Sequence, residues 1–129
     1  MHGVFAELAD GNGQAFMDAL ADDARWTVIG SLPWSRTYEG KQAITDELMR
    51  PLFRQFADQY TAHAVRIVAE DDVVVVEARG QATTKSGKPY HQTYCYVFRL
   101  ADGRVRELTE YIDTDLVRQV LEKPSDLSV

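Results

Sequence analysis

The side chains of this 129-residue chain best placed for chemistry are Glu110, Glu77, Arg79 and Tyr94. Glu110 stands in Arg104-Val105-Arg106-Glu107-Leu108-Thr109-Glu110-Tyr111-Ile112-Asp113-Thr114, which follows the turn signal Asp102-Gly103 and carries acidic and aromatic residues where a strand favours aliphatic ones. Alternation puts Leu108, Glu110 and Ile112 on one face and Glu107, Thr109, Tyr111 and Asp113 on the other. An acid facing inward is costly without a partner or a task, and burial raises its pKa towards the range where a carboxyl gives or takes protons near neutrality. The competing reading is a solvent-facing or ion-paired glutamate.

On the strand before the second hairpin, Val75, Glu77, Arg79 and Gln81 share one face and Val74, Val76, Ala78 and Gly80 the other. The expectation is that Glu77 and Arg79 lie across the sheet on the same concave face as Glu110, as an acid, arginine, acid set. A buried ion network that only fixes sheet register is the alternative. Tyr94 and Tyr96 share a face with Gln92 and Phe98 and are expected to donate hydrogen bonds to a carbonyl or enolate oxygen. Trp26, Trp34, Tyr38, Gln92, Tyr96, Leu108 and Ile112 complete the expected substrate wall, with Trp34 and Tyr38 as a lid; for the aromatics, core packing competes with this.

His91 and Cys95 fall on the face opposite Tyr94, and Cys95 is expected to be a buried structural thiol. His63 is isolated, and no His, Cys, Asp or Glu spacing suits a metal, so neither metal nor cofactor is expected. Gly11-Asn12-Gly13 lacks the preceding strand of a phosphate loop, and Asp22-Asp23 and Glu70-Asp71-Asp72 read as solvated turns.

These residues need elements to hold them. Phe5 and Leu8 mark a short helix stopped by Gly11-Asn12-Gly13, a second helix is expected from Gln14 to Asp22, and Arg25-Trp26-Thr27-Val28-Ile29 reads as a strand. Ile44, Leu48, Leu52 and Phe56 form an apolar stripe on a helix that Pro51 should kink. Glu70-Asp71-Asp72, Ser86-Gly87-Lys88 and Ala101-Asp102-Gly103 then punctuate strands expected at 62–69, 73–84, 90–100 and 104–113. Leu116, Val117, Val120 and Leu121 suit a final short helix that Asp113 would cap, and a mobile tail is expected from about residue 123. Helices first and an antiparallel meander after them make the fold class α+β. Apolar residues on both strand faces imply that both are covered, one by helices and one by another subunit.

Composition sets the bounds. With 45% hydrophobic and 26% charged residues, the chain reads as one globular domain over residues 1–129. A net charge of -6 opposes nucleic-acid binding. The chain has no basic start ahead of an apolar run and no apolar stretch near the roughly 20 residues that span a bilayer, so no membrane partner is expected. The single cysteine permits no internal disulfide, and a cytoplasmic location is expected.

The order of elements, together with Leu20-Ala21-Asp22-Asp23-Ala24-Arg25-Trp26, Tyr38-Glu39-Gly40-Lys41 and Glu110-Tyr111-Ile112-Asp113-Thr114, resembles the SnoaL-like, ketosteroid-isomerase-related branch of the nuclear transport factor 2-like superfamily, from about Phe5 to Leu121. The resemblance implies helices closing a curved antiparallel sheet around a cone-shaped apolar pocket, a cystatin-like α+β roll, and a homodimer through the outer sheet face. It implies a pocket acid at Glu110, as in the limonene-epoxide-hydrolase type, whose Asp, Arg, Asp set compares with Glu77, Arg79 and Glu110. That type also needs a Tyr and an Asn where this chain has Val28, Gly30 and Leu32, so epoxide hydrolysis is not expected. SnoaL-type cyclases pair a His with an acid, for which His91 near Asp113 is the candidate. The function so implied is a cofactor-independent isomerase, cyclase or lyase acting by acid/base chemistry on a small apolar carbonyl- or hydroxyl-bearing molecule. A non-catalytic ligand-binding or dimerisation module is the alternative, since this fold hosts both.

Overall fold

In the computed structural model, which describes residues 1–124, two short helices open the chain. Helix α1 (His2–Ala9) buries Phe5 and Leu8, three residues apart on one face, and α2 (Gln14–Asp18) buries Phe16. Gly11 between them takes φ +88°, and a Cβ there would lie 2.6 Å from Gln59 Cδ, so the turn admits only glycine. Strand β1 (Leu20–Val28) begins earlier than the sequence suggested and cuts α2 short. Leu20 already pairs with Val105, and Val105 N donates to Ala19 O at 2.9 Å, so the sheet claims residues that helical periodicity assigned to the helix.

After β2 (Thr37–Glu39), residues 41–53 form one helical rod in three parts: α3 (Lys41–Ala43), a π-helical turn (Ile44–Met49) and α4 (Arg50–Phe53). The expected disturbance at Pro51 takes this form because Pro51 has no N–H for Glu47 O and its ring crowds that carbonyl; widening the preceding turns relieves the clash.

The remaining strands are β3 (Thr61–Glu70), β4 (Val73–Thr83), β5 (Pro89–Tyr90), β6 (Thr93–Ala101) and β7 (Arg104–Ile112). His91 and Gln92 part β5 from β6, yet Gly80 and Gln92 exchange backbone hydrogen bonds of 2.8 and 3.1 Å, so the pairing keeps one register. The sheet order is β2-β1-β7-β6-β4-β3, antiparallel except where β1 runs parallel to β7. Helix α5 (Thr114–Val120) starts at Asp113, whose carboxylate accepts from Asp115 N at 3.1 Å and Leu116 N at 3.2 Å. The tail beyond residue 124, where mobility is expected, lies outside the described residues.

The result is an α+β fold whose strongly curled sheet carries the N-terminal helices on its concave face. Phe5, Phe16, Trp26, Tyr96 and Phe98 interlock in the core, with neighbouring ring centroids 5.4 to 6.3 Å apart. Among the described residues, no helix is long and apolar enough to cross a membrane.

Candidate functional site

Register decides which side chains meet. Val28 of β1, Glu110 of β7, Tyr96 of β6 and Val76 of β4 stand in one row across the concave face. Glu110 thereby opens into a cavity of about 420 Å³ whose sheet wall also includes Trp26, Tyr94 and Tyr96. The opposite wall comes from the helices: Leu8, Phe16 and Met17, then Lys41, Thr45, Met49, Leu52 and Phe53 of the rod. Tyr60 closes one end.

Most of this lining is apolar, and it acts on Glu110. Burial pushes the carboxyl up to about 8, opposed in part by the nearby Trp26 indole N–H, which favours the charged form although it stands outside hydrogen-bond geometry. Glu110 is therefore mostly protonated at neutral pH, a hydrogen-bond donor as well as an acceptor. Tyr60 donates to Tyr94 Oη at 2.6 Å, so the Tyr94 proton is not used in that bond and can turn to a ligand oxygen in the cavity. The Tyr94 and Tyr96 rings stack at 4.9 Å, and burial raises the pKa of both phenols, so both stay protonated. Gly80 makes room for this group: a Cβ there would lie 2.6 Å from Tyr60 Oη and 2.7 Å from Tyr94 Cε2.

Trp26 adds a further detail. It is 3% exposed, and among the described residues its Nε1 is the one buried side-chain polar atom without a hydrogen-bond partner. No group of three or more His, Cys, Asp or Glu side chains that would hold a metal ion occurs among the described residues.

Other expected site residues lie elsewhere. Glu77 and Arg79 occupy the outer face, because the inward phase of β4 belongs to Val74, Val76, Ala78, Gly80 and Ala82; Glu77 faces Arg66 at 3.6 Å instead of Glu110. The acid, arginine, acid set does not form. Trp34 is buried beside a separate cavity of about 260 Å³ with Leu32 and Val117, its Nε1 donating to Glu122 O at 3.1 Å. Tyr38 is buried too, donating to Trp34 O at 2.8 Å beneath the Arg36 guanidinium, so neither aromatic is a lid.

Gln92 is 0% exposed and fully occupied: Nε2 donates to Tyr90 Oη and Asp113 O, and Oε1 accepts from Thr93 N and Asp113 N. It is a brace that sets Asp113 as the helix cap. Leu108 and Ile112 share the face of Glu110 but pack into the core beyond the cavity wall. Cys95 is half-buried on the outer face and not a core thiol, while His91 and His63 are exposed.

What sequence reasoning missed was Tyr60 and the helical wall. Of the stripe read from periodicity, Ile44, Leu48 and Phe56 pack into the core, and Leu52 lines the cavity together with Thr45, Met49 and Phe53. Gly80 was the available signal, since a glycine within a strand marks close approach by another group.

The profile of the SnoaL-like domain matches residues 2–108 and ends two residues short of Glu110. No curated protein matches the chain. Among solved structures, an NTF2-like protein from Burkholderia thailandensis shares 24% identity over 92% of this chain and 91% of its own, with a TM-score of 0.76. A putative SnoaL-like polyketide cyclase from Jannaschia sp. CCS1 shares 20% identity over 92% and 85%, with a TM-score of 0.73. TerC, co-crystallized with polyporic acid, shares 16% identity over 90% of each chain, with a TM-score of 0.74.

Proposed function

The chain belongs to the SnoaL-like domain family, and on that premise we propose that it is a cofactor-independent isomerase, cyclase or lyase working by proton transfer at Glu110. Its substrate is a small apolar molecule bearing a carbonyl or hydroxyl group. The observation that carries this reading is a buried carboxyl, Glu110, the one acid among the described residues of the cavity wall, facing an apolar cavity beside the Tyr94 hydroxyl, with its pKa pushed up by that burial. Glu110 passes its proton to the substrate carbonyl oxygen while Tyr94 donates a hydrogen bond to the same atom, and the carboxylate so formed removes the proton from the adjacent carbon, whose C–H electron pair becomes the carbon–carbon double bond of the enol. The apolar walls keep competing water away and strengthen both interactions. One group suffices for acid and base, since the resulting carboxylate takes a proton back as product forms.

The test is deuterium uptake next to the carbonyl of apolar cyclic ketones incubated in heavy water, followed by NMR. Wild type is expected to accelerate exchange, and Glu110→Gln to lose about 100-fold or more of that acceleration while still folding. Ketones that bind both proteins without exchange in either would establish the second reading, a ligand-binding module. The absence of a second acid from the wall favours that alternative.

The outer sheet face is the proposed homodimer surface. Val68, Val75 and Val97 form an apolar row across β3, β4 and β6, and Val65, Val68 and Tyr111 are exposed.

A further inference from the structure

Trp26 sits in β1 between β2 and β7, paired with Tyr38 on one side and Leu108 on the other. Val28, two residues on, pairs with Glu110, so the indole and the carboxyl are diagonal neighbours on adjacent strands and share one cavity wall. The Phe16 ring, 5.4 Å away by centroids, holds the indole in place. A buried N–H left unpaired is expensive, and folded proteins rarely tolerate one without a reason. The indole nitrogen only donates and does not titrate, so its partner must accept.

We infer that Trp26 is a positioning residue whose indole N–H is held for the Glu110 carboxylate, the form that exists once Glu110 has given up its proton. This rests on the role proposed above for Glu110. When the Glu110 O–H bond breaks, the proton passes to a ligand oxygen and the electron pair stays on the carboxylate. That anion, a stronger acceptor than the neutral acid, then draws the waiting N–H into a hydrogen bond. The donor is unsatisfied in the resting state and satisfied in the ionised one, which reduces the cost of proton release inside an apolar cavity. The opposing influence of Trp26 on the upward displacement of the Glu110 pKa has the sign this requires.

The other titratable groups that face Glu110 come from the neighbouring strands and the rod. Tyr96 and Tyr94 of β6, Tyr90 of β5, Tyr60 ahead of β3 and Tyr38 of β2 all have raised pKa values, with burial the first cause of each, and remain neutral. Lys41 lines the same cavity from the helical rod.

The experiment is NMR titration of protein labelled with 13C in the glutamate carboxyls and 15N in the indoles, with Glu110→Gln assigning the Glu110 signal. In wild type, the Trp26 indole proton should move downfield with the midpoint of Glu110, near 8, and stay still in Glu110→Gln. In Trp26→Phe, the Glu110 midpoint should rise by about one unit, the size of a lost hydrogen bond to a charged group. A purely structural role predicts the opposite sign, because a loosened wall hydrates the carboxyl and lowers its midpoint; Phe16→Leu serves as that control. An indole resonance flat through the Glu110 titration overturns the inference in wild type itself, without dependence on the folding of any variant. Normal exchange by Glu110→Gln would instead overturn the catalytic reading, an outcome separate from both NMR readouts.

Discussion

Burial of Glu110 couples the stability of the protein to pH in a defined direction. The carboxyl titrates near 8 when folded and near the free value of about 4.3 when unfolded. Below about pH 4.3 both states hold the proton and the contribution is complete. Between about 4.3 and 8 only the folded state holds it, so stability falls as pH rises, by about 1.4 kcal/mol per unit from this group. Above 8 both states are ionised and the slope ends. The comparison that isolates this group is with Glu110→Gln, in urea unfolding at intervals from pH 5 to 9. The stability of the glutamine variant should gain steadily on wild type up to pH 8 and then run parallel to it. A constant difference would mean that Glu110 ionises in the folded protein as it does in water. Proton donation should follow the same midpoint, with exchange activity declining above pH 8.

The strands act on the site through their phase. Gly80 lies on the inward side of β4 directly under the paired hydroxyls of Tyr60 and Tyr94. Gly80→Ala is expected to cost about 1–3 kcal/mol through overpacking and to weaken ligand binding by driving the two rings into the cavity; chemical denaturation and titration with a bound ketone measure these. The same strand marks where sequence reasoning stopped. The hairpins were legible because their turns demand particular residues: Asp71, Gly87, Asp102 and Gly103 all take positive φ in the structure. The phase of β4 was not legible, because Val73 to Val76 are four valines in a row and offer no alternation. The charged pair Glu77 and Arg79 was therefore drawn towards the imagined site, although Ala78 and Gly80 are the residues small enough to lie beneath tyrosine rings. On the rod, the fourfold stripe found the buried residues Ile44, Leu48 and Phe56 but carried no sign that Leu52, with Met49 and Phe53 beside it, lines a cavity. Glu110 fared differently: one hairpin signal and simple alternation put it with Leu108 and Ile112, and only the wall position of those two neighbours differed.

At the scale of the molecule, the two sheet faces differ in what they present. The concave face meets the helices and the cavity, and the convex face carries the valine row with half-exposed Tyr111 at its side. If that face joins two copies, Val68→Glu should sediment as a monomer at concentrations where wild type is a dimer, with unchanged helix and strand content. Sedimentation of wild type as a monomer would remove the proposal. The parallel join of β1 to β7 has a further consequence, for time rather than for space. Trp26 belongs to the first strand of the chain and Glu110 to the last, so the wall they share closes the longest loop in the sheet. A chain emerging from the ribosome can form its central hairpins early, and β1 can pair with β2, but its other edge waits for β7 until nearly everything else has been made. The proposed reaction centre is therefore assembled last, and until then an unpaired strand edge bearing Trp26 stays open to chaperones or to a second nascent chain.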